Sequence, residues 1–396
     1  MPTSLPRPTP TRHRRGRTVA AAFAVALALL AAPFVGGAPA SAVASPQAEA
    51  ASAWLAGLVG PDGYVANPYS TEPSLTWTAN LAVSLATTGN EPAALQRALD
   101  LLASEVDAYI AEGTSDPAGR ISWLILLVDA TGGDPRSFGG HDLVADLATR
   151  YEVAEPGLYG VVDDYTPVTN QALAILALAA AGEPIPTDAL TWLLDQQCTA
   201  PASAAGAWQG YRGPDGGGLE PCQESTALNF TSADSNSTAF AVQALQAIGT
   251  TDPVGPALTW LAGMQDATPG PAIGGFGQRP GDIADPNSTA LVIQAIVAAG
   301  QSPTGGGWTV DGGNPLTSLQ SWIITSGDEA GALASPYSGG FADTFATYQG
   351  VWGLAQVAFP LPVPTPSAPT TTTTTAPTPT TDGSTRPDVV NPAFTG

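Results

Sequence analysis

One repeated segment constrains the fold more than any other feature. It is an Ala-rich stretch of helical length that opens on Asp, Asn, Ser or Thr and stops at a Gly. The clearest copies are DSNSTAFAVQALQAIG (Asp234 to Gly249) and DPNSTALVIQAIVAAG (Asp285 to Gly300). Weaker copies run from Trp77 to Gly89, Gly119 to Gly132 and Pro167 to Gly182, and a sixth, Asp343 to Ala358, lacks the closing Gly. A recurrence of this kind marks supersecondary units that share a core with their neighbours. The opening residues suit a helix start, where a side-chain oxygen accepts free N–H groups. The Gly suits the left-handed turn past a helix end.

A second set of apolar-periodic segments alternates with the first: Ala48–Leu58, Pro92–Ile110, Gly140–Tyr151, Thr187–Gln197, Pro253–Gln265 and Pro315–Ser326. Four carry a Trp followed by an aliphatic residue (Trp54, Trp192, Trp260 and Trp322), and two end in Gln, at Gln197 and Gln265. The Ala-rich helices are small or apolar nearly all round, which is the pattern of a helix buried on most sides. The expectation is an all-α chain, an (α/α)6 toroid of six helical hairpins, with the Ala-rich set inside and the Trp-bearing set outside. An open solenoid is the alternative, because repeats also stack without closing. Glycines punctuate the outer-to-inner links, as in Gly274-Gly275-Phe276, Gly157-Leu158-Tyr159 and Gly339-Gly340-Phe341. The aromatic in each is expected to plug the gap between neighbouring hairpins.

The ends read differently. Five arginines between Arg7 and Arg17, an apolar run from Val19 to Val35, and small residues at 40–44 form a secretory signal over residues 1–44. Arg14-Arg15 hints at a twin-arginine signal, and an uncleaved signal anchor is the other alternative. The toroid is expected over 45–359. Residues 360–390 are rich in Pro and Thr and read as a disordered stalk. Residues 391–396 resemble a degenerate sortase-type motif, with the chain incomplete or the match a coincidence. The expected setting is outside the cell, with attachment to the cell wall as one option and no transmembrane segment in the mature chain. Cys198 and Cys222 are the only cysteines, and an even pair in a secreted chain reads as a disulfide. A loop of about 25 residues closed in this way contributes about 3 kcal/mol.

Beyond residue 44 seven arginines face 34 acidic residues, a net charge of −27, and the chain has no lysine. Such a surface repels nucleic acid. The expected partners are a small-molecule or surface ligand.

The motifs Trp-Leu-x-x-x-Gln, Gly-Gly-Phe and Asp-x-x-Ser-Thr-Ala resemble the repeats of the prenyltransferase and squalene-cyclase toroid superfamily. Asn236–Leu245, Asn170–Leu178 and Asp343–Leu354 are similar to the helical domain of the intrinsic factor and transcobalamin family of cobalamin carriers. The resemblance covers about residues 46–359 and implies the fold more strongly than a ligand. In those carriers the ligand sits over one end of the toroid, beneath a small β domain that the sequence does not show here.

The superfamily's chemistries each need particular residues. Protonation of a terpene needs an Asp-x-Asp-Asp cluster to poise the acid, and the nearest segment, Val161-Val162-Asp163-Asp164, lacks the first Asp. Zinc needs Cys and His ligands, whereas both cysteines are expected to be bridged and His141 is the only histidine past the signal. The Cys-Gly-Glu-Gln thioester motif is absent. Glycosidases need two facing carboxylates, for which Asp163, Asp164, Asp215, Glu220 and Glu224 are candidates. No catalytic residue, metal or cofactor is therefore expected. The leading expectation is a non-catalytic binding protein whose rim is formed by Tyr165, Asn170, Asp234, Asn236, Asp285, Asn287, Asp343 and Tyr348, with Phe345 beside it and Trp77 and Trp123 along the wall. Helix capping explains the Asp and Asn positions equally well. A bulky, mostly neutral organic molecule, corrinoid-like in one version, would suit such a site. The alternatives are a secreted terpene-cyclase-like or carbohydrate-active enzyme, with Asp163, Asp164 or Glu224 as the acid, and a structural adhesin head.

Overall fold

The computed structural model describes residues 45–112, 117–151, 155–161, 167–215 and 218–362. The expected signal, nearly all of the stalk and the 391–396 motif lie outside these, as do Asp163, Asp164 and Tyr165.

Each hairpin sends one helix outward and the next inward. The first is α1 (Pro46–Ala56) with α2 (Leu75–Thr88). In the second, α3 (Pro92–Ser104) and the short α4 (Val106–Ala111) precede α5 (Pro117–Ala130). Then come α6 (Leu143–Ala148) with α7 (Pro167–Ala180), and α8 (Thr187–Asp195) with α9 (Ser235–Ala247). The last two pairs are α10 (Val254–Gly263) with α11 (Pro286–Ala298), and α12 (Pro315–Gln320) with α13 (Thr344–Ala355). Helices α2, α5, α7, α9, α11 and α13 pack in that order, and α13 packs back on α2. The ring is closed, so the open solenoid is excluded. Two short antiparallel ribbons decorate it: β1 (Val65–Ala66) with β2 (Pro73–Ser74), in register Val65 to Ser74, and β3 (Pro214–Asp215) with β4 (Gly218–Leu219).

The inner helices are buried along most of their length. Ten of the first eleven residues of α9 and ten of the first eleven of α11 are buried, Asn236 and Asn287 being the exceptions. At Gly353 on α13, an added Cβ would lie 2.8 Å from the Ala290 backbone of α11. Only the smallest side chains permit that spacing.

A recurring lock joins each outer-to-inner link to its helix. Thr289 Oγ1 accepts from Phe276 N–H at 2.9 Å, while the cap Asp285 N–H donates to Phe276 C=O at 2.9 Å. Thr238 holds Trp208 and Thr347 holds Leu333 in the same way, and Thr78 receives the Val65 N–H. All four threonines are fully buried. Gln171 takes this place in α7, accepting from Tyr159 N–H at 2.7 Å. The gripped residues Trp208, Phe276 and Tyr159 are buried plugs, as expected. Phe341 is not: it is 68% exposed, and Leu333, which follows Gly331-Ala332, occupies the plug position instead. The reason is register, because the buried Thr347 lies 14 residues from Leu333, one more than the 13 that separate Thr289 from Phe276, whereas Phe341 is only six residues away.

The closing contact uses a glycine. Gly331 has φ +96°, and a Cβ there would lie 2.7 Å from the Ala50 carbonyl on α1. The last outer-to-inner link thereby seats on the first outer helix. Gln197 and Gln265 act as staples: each side-chain amide donates to a Gly carbonyl of its own link and to a carbonyl of the next hairpin. Cys198 and Cys222 are bonded, tying the start of the α8–α9 link to its middle. The last expected outer helix is shorter than its sequence pattern, ending at Gln320 rather than Ser326.

Past α13 the chain turns inward. Gln356 adopts φ 51°, the left-handed conformation that glycine supplies after α2, α7 and α9. Phe359 N–H then donates to Gln243 Oε1 at 2.9 Å, and Gln294 Nε2 donates to Val357 C=O at 3.1 Å. The Phe359 ring stands 5.3 Å from Trp123 and 5.2 Å from Trp352, which stack on each other at 5.5 Å. This strap fills the middle of the ring with aromatic side chains. No helix of the described residues is long and apolar enough to cross a membrane.

Candidate active site

Because the inner helices run parallel, their N-termini share one mouth, and the outer-to-inner links surround it. Five of these six links run from eighteen residues (57–74) to 39 (196–234), with the α4–α5 link (112–116) the short one. The inner-to-outer turns at the other end run from three residues (89–91) to sixteen (299–314). Every large exposed hydrophobic among the described residues lies in an outer-to-inner link or, for Phe345, in the first turn after one. They include Tyr69, Leu228, Phe230, Ile283, Tyr337 and Phe341. Exposed apolar surface gathered at one place marks a binding region.

Below the rim an aromatic ladder descends. Tyr69 stands 6.0 Å from Trp77, Trp77 lies 6.3 Å from Phe345 and 5.9 Å from Tyr348, and Tyr348 lies 5.5 Å from Trp352. Tyr348 is buried, and burial raises its hydroxyl well above the usual tyrosine range. It forms wall rather than rim.

The cap aspartates are held by the protein itself. Asp234 accepts from Ser237 N–H at 2.8 Å and Ser237 Oγ at 2.9 Å, and Asp285 makes the same pair with Ser288. Asp343 caps Ala346 N–H. Burial pushes the Asp285 carboxyl up to about 6 and raises Asp234 in the same direction, against the lowering pull of those hydrogen bonds. Asn170, Asn236 and Asn287 are half-buried beside them, and Asn287 Nδ2 donates to Gln349 Oε1 at 3.1 Å. The structure thus brings Asn170, Asn236, Asn287, Asp234, Asp285, Asp343 and Tyr348 to the mouth end of one ring. A carboxylate that the sequence reading passed over, Glu112, caps α2 from the neighbouring hairpin, accepting from Ser74 Oγ, Leu75 N–H and both Thr76 donors.

Other candidates fall elsewhere. Glu224 is exposed and bonded to Ser203 in the disulfide-tied link. Asp215 belongs to β3, and Glu220 is exposed just past β4. His141 lies in an inner-to-outer link, with Asp146 3.1 Å from Nδ1 and Asp107 3.6 Å from Nε2. A surface cavity of about 410 Å³ opens within the α10–α11 link, lined in part by Met264, Asp266, Thr268, Asp282 and Ile283.

No family model matches the chain, and no curated protein matches it. Solved structures do. An α-1,6-mannanase of Salegentibacter sp. HEL1_6 is similar at 13% identity over 78% of this chain and 97% of that one, with a TM-score of 0.52. That structure is an inactive variant with two consecutive aspartates changed to asparagine, in complex with α-1,6-mannotriose. The unsaturated glucuronyl hydrolase from Bacillus sp. GL1, responsible for the degradation of glycosaminoglycan, is similar at 14% identity over 78% and 95%, TM-score 0.51. The type II terpene cyclase of Scytonema is similar at 16% identity over 78% and 97%, TM-score 0.50. At these identities the likeness establishes the α/α toroid fold. These neighbours do not bear on the cobalamin carriers.

The expectation of a non-catalytic binder is corrected here. The neighbouring toroids are enzymes, two acting on sugars and one a terpene cyclase, and the enzymatic alternative fits them better. The missing Asp-x-Asp-Asp, zinc and thioester motifs speak against those particular chemistries and not against catalysis in general.

Proposed function

We propose that this protein is a carbohydrate-active enzyme that cleaves a glycan at the inner-helix N-terminal mouth, outside the cell. The observation that carries this is the gathering, at that mouth, of five links of eighteen residues or more and of the large exposed hydrophobics among the described residues. The disulfide and the signal-like residues 1–44 support the extracellular setting.

Glycoside cleavage needs one carboxylic acid to protonate the leaving oxygen and a second carboxylate to activate water or attack the sugar. Asp163-Asp164 is the only consecutive aspartate pair in the sequence, three residues ahead of α7. The pair lies outside the described residues and is proposed from that place in the chain. Asn170, Asn236 and Asn287 are assigned to orient sugar hydroxyls, whereas Asp234, Asp285 and Asp343 fix the helix starts. A terpene cyclase fits less well. The Asp-x-Asp-Asp cluster is absent, and ring-on-ring packing of Trp123, Trp352 and Phe359 fills the depth where an isoprenoid chain would fold.

The test is reducing-sugar release from a panel of neutral and anionic polysaccharides, with Asp163→Asn and Asp164→Asn compared with the wild type. General acid or base loss lowers turnover by at least about a hundredfold, with the melting temperature unchanged. Turnover that survives both substitutions sinks the assignment.

A further inference from the structure

The mouth is not uniform. Where α2 and α13 meet, Tyr69 is 80% exposed and Phe345 38% exposed, and both lie against Trp77. Trp77 is only half-buried, and it rests on the buried Tyr348. The cluster therefore has a fixed foot and solvent-facing rings, the arrangement that holds a flat apolar face ready at low entropic cost.

Charge narrows what can lie on it. The chain has no lysine. Arg212 donates to the Asp195 and Glu220 carbonyls, and Arg279 pairs with Asp282 and covers Phe230 at 4.4 Å. Carboxylates cap four of the six inner helices at this end, Glu112 and Asp343 on the α2 and α13 that carry the cluster, and Asp234 and Asp285 on α9 and α11. An anionic sugar would meet like charge there, with these two arginines already committed. A neutral sugar meets no such penalty: the C–H face of its ring is apolar, and its hydroxyls suit amides such as Asn287 and Asn236. We infer that Tyr69, Trp77 and Phe345 form a stacking subsite for one ring of an uncharged glycan. The subsite rests on the glycan reading above, whose mouth it shares, and names the substrate class.

The test uses the full chain in calorimetric titrations with α-1,6-mannotriose, cellotriose and chitotriose, and with an unsaturated glucuronyl disaccharide as the anionic probe. At least one neutral trisaccharide binds more tightly than the anionic one. Tyr69→Ala and Phe345→Ala each weaken it about tenfold, equivalent to about 1.4 kcal/mol. Leu228→Ala, on the α9 side across the ring, leaves it unchanged. Tyr69 is mostly exposed, so its loss does not threaten the fold. Neutral binding or cleavage that is indifferent to both substitutions overturns the subsite and leaves the glycan reading standing. Preference for the anionic sugar overturns the neutral class. Failure to bind or cleave any glycan overturns the subsite together with the reading beneath it.

Discussion

The two mouths of the ring are built from the same helices and have opposite characters. At the inner-helix C-terminal end, turns run from three to sixteen residues, glycines close the helices, and the strap from Val357 to Leu361 packs its own Phe359 into the interior. At the N-terminal end, links are long and aromatic rings stand in water. The difference teaches that one end of the ring buries its own aromatic rings while the other holds rings in contact with water. The C-terminal side covers its own apolar surface, whereas the N-terminal side leaves apolar rings exposed.

Substitutions at equivalent ring types should separate the two. The largest effect is expected at Phe359. Its change to Ala empties a site between Trp123 and Trp352 and should cost about 3–5 kcal/mol in urea denaturation, while Tyr337→Ala at the other mouth changes stability by less than about 0.5 kcal/mol. Equal losses would erase the distinction. Next comes the lock beneath the N-terminal mouth. Thr289→Val keeps the shape but strands the buried Phe276 N–H, costing about 1–3 kcal/mol.

A smaller effect is a slope with pH. An unfolded aspartate titrates near 3.9, and Asp285 is raised to about 6 by burial. Folding therefore favours its protonated form. That contribution is complete below about pH 4 and is lost as pH rises through about 6. Asp285→Asn keeps a capping oxygen and removes the proton, so its melting temperature should change less than the wild type's between pH 4 and 7. Asp234 is raised in the same direction and leaves part of the slope in place. The smallest expected gain is at the C-terminal mouth. Gln356→Gly relieves a left-handed non-glycine residue and should raise stability by up to about 1 kcal/mol, read as a shift in the denaturation midpoint.

Much of the ring was legible because local rules and global packing agree. Asp234, Asp285 and Asp343 announce helix starts, Gly89, Gly182 and Gly249 announce ends, and alanine between them announces crowding. The Thr238 and Thr289 locks were present as the Ser-Thr-Ala of the repeat, but a hydroxyl's partner 13 or 30 residues upstream leaves no periodic trace. The Gly339-Gly340-Phe341 motif misled for a related reason: its spacing imitates a plug, while the register that decides burial is set by Thr347. The strap was invisible, since Gln356 to Leu361 has no period and reads as the start of the Pro-rich tail. The site was the least legible part. Tyr69 and Tyr337 sit in unpatterned links, and only the closed ring brings Tyr69 beside Phe345, 276 positions away in the chain.

Ring closure also sets a clock. Helix α13 packs on both α1 and α2, and Ser45 Oγ donates to Leu354 C=O at 2.9 Å, so the first and last turns of the domain are each other's neighbours. Contacts of such sequence separation form only after the whole chain is available. A chain emerging from a ribosome or a translocation pore would present five hairpins as an open arc, with the Ala-rich edges of α1 and α2 uncovered until the sixth arrives. The final segment, strap included, thus acts as the clasp of the ring.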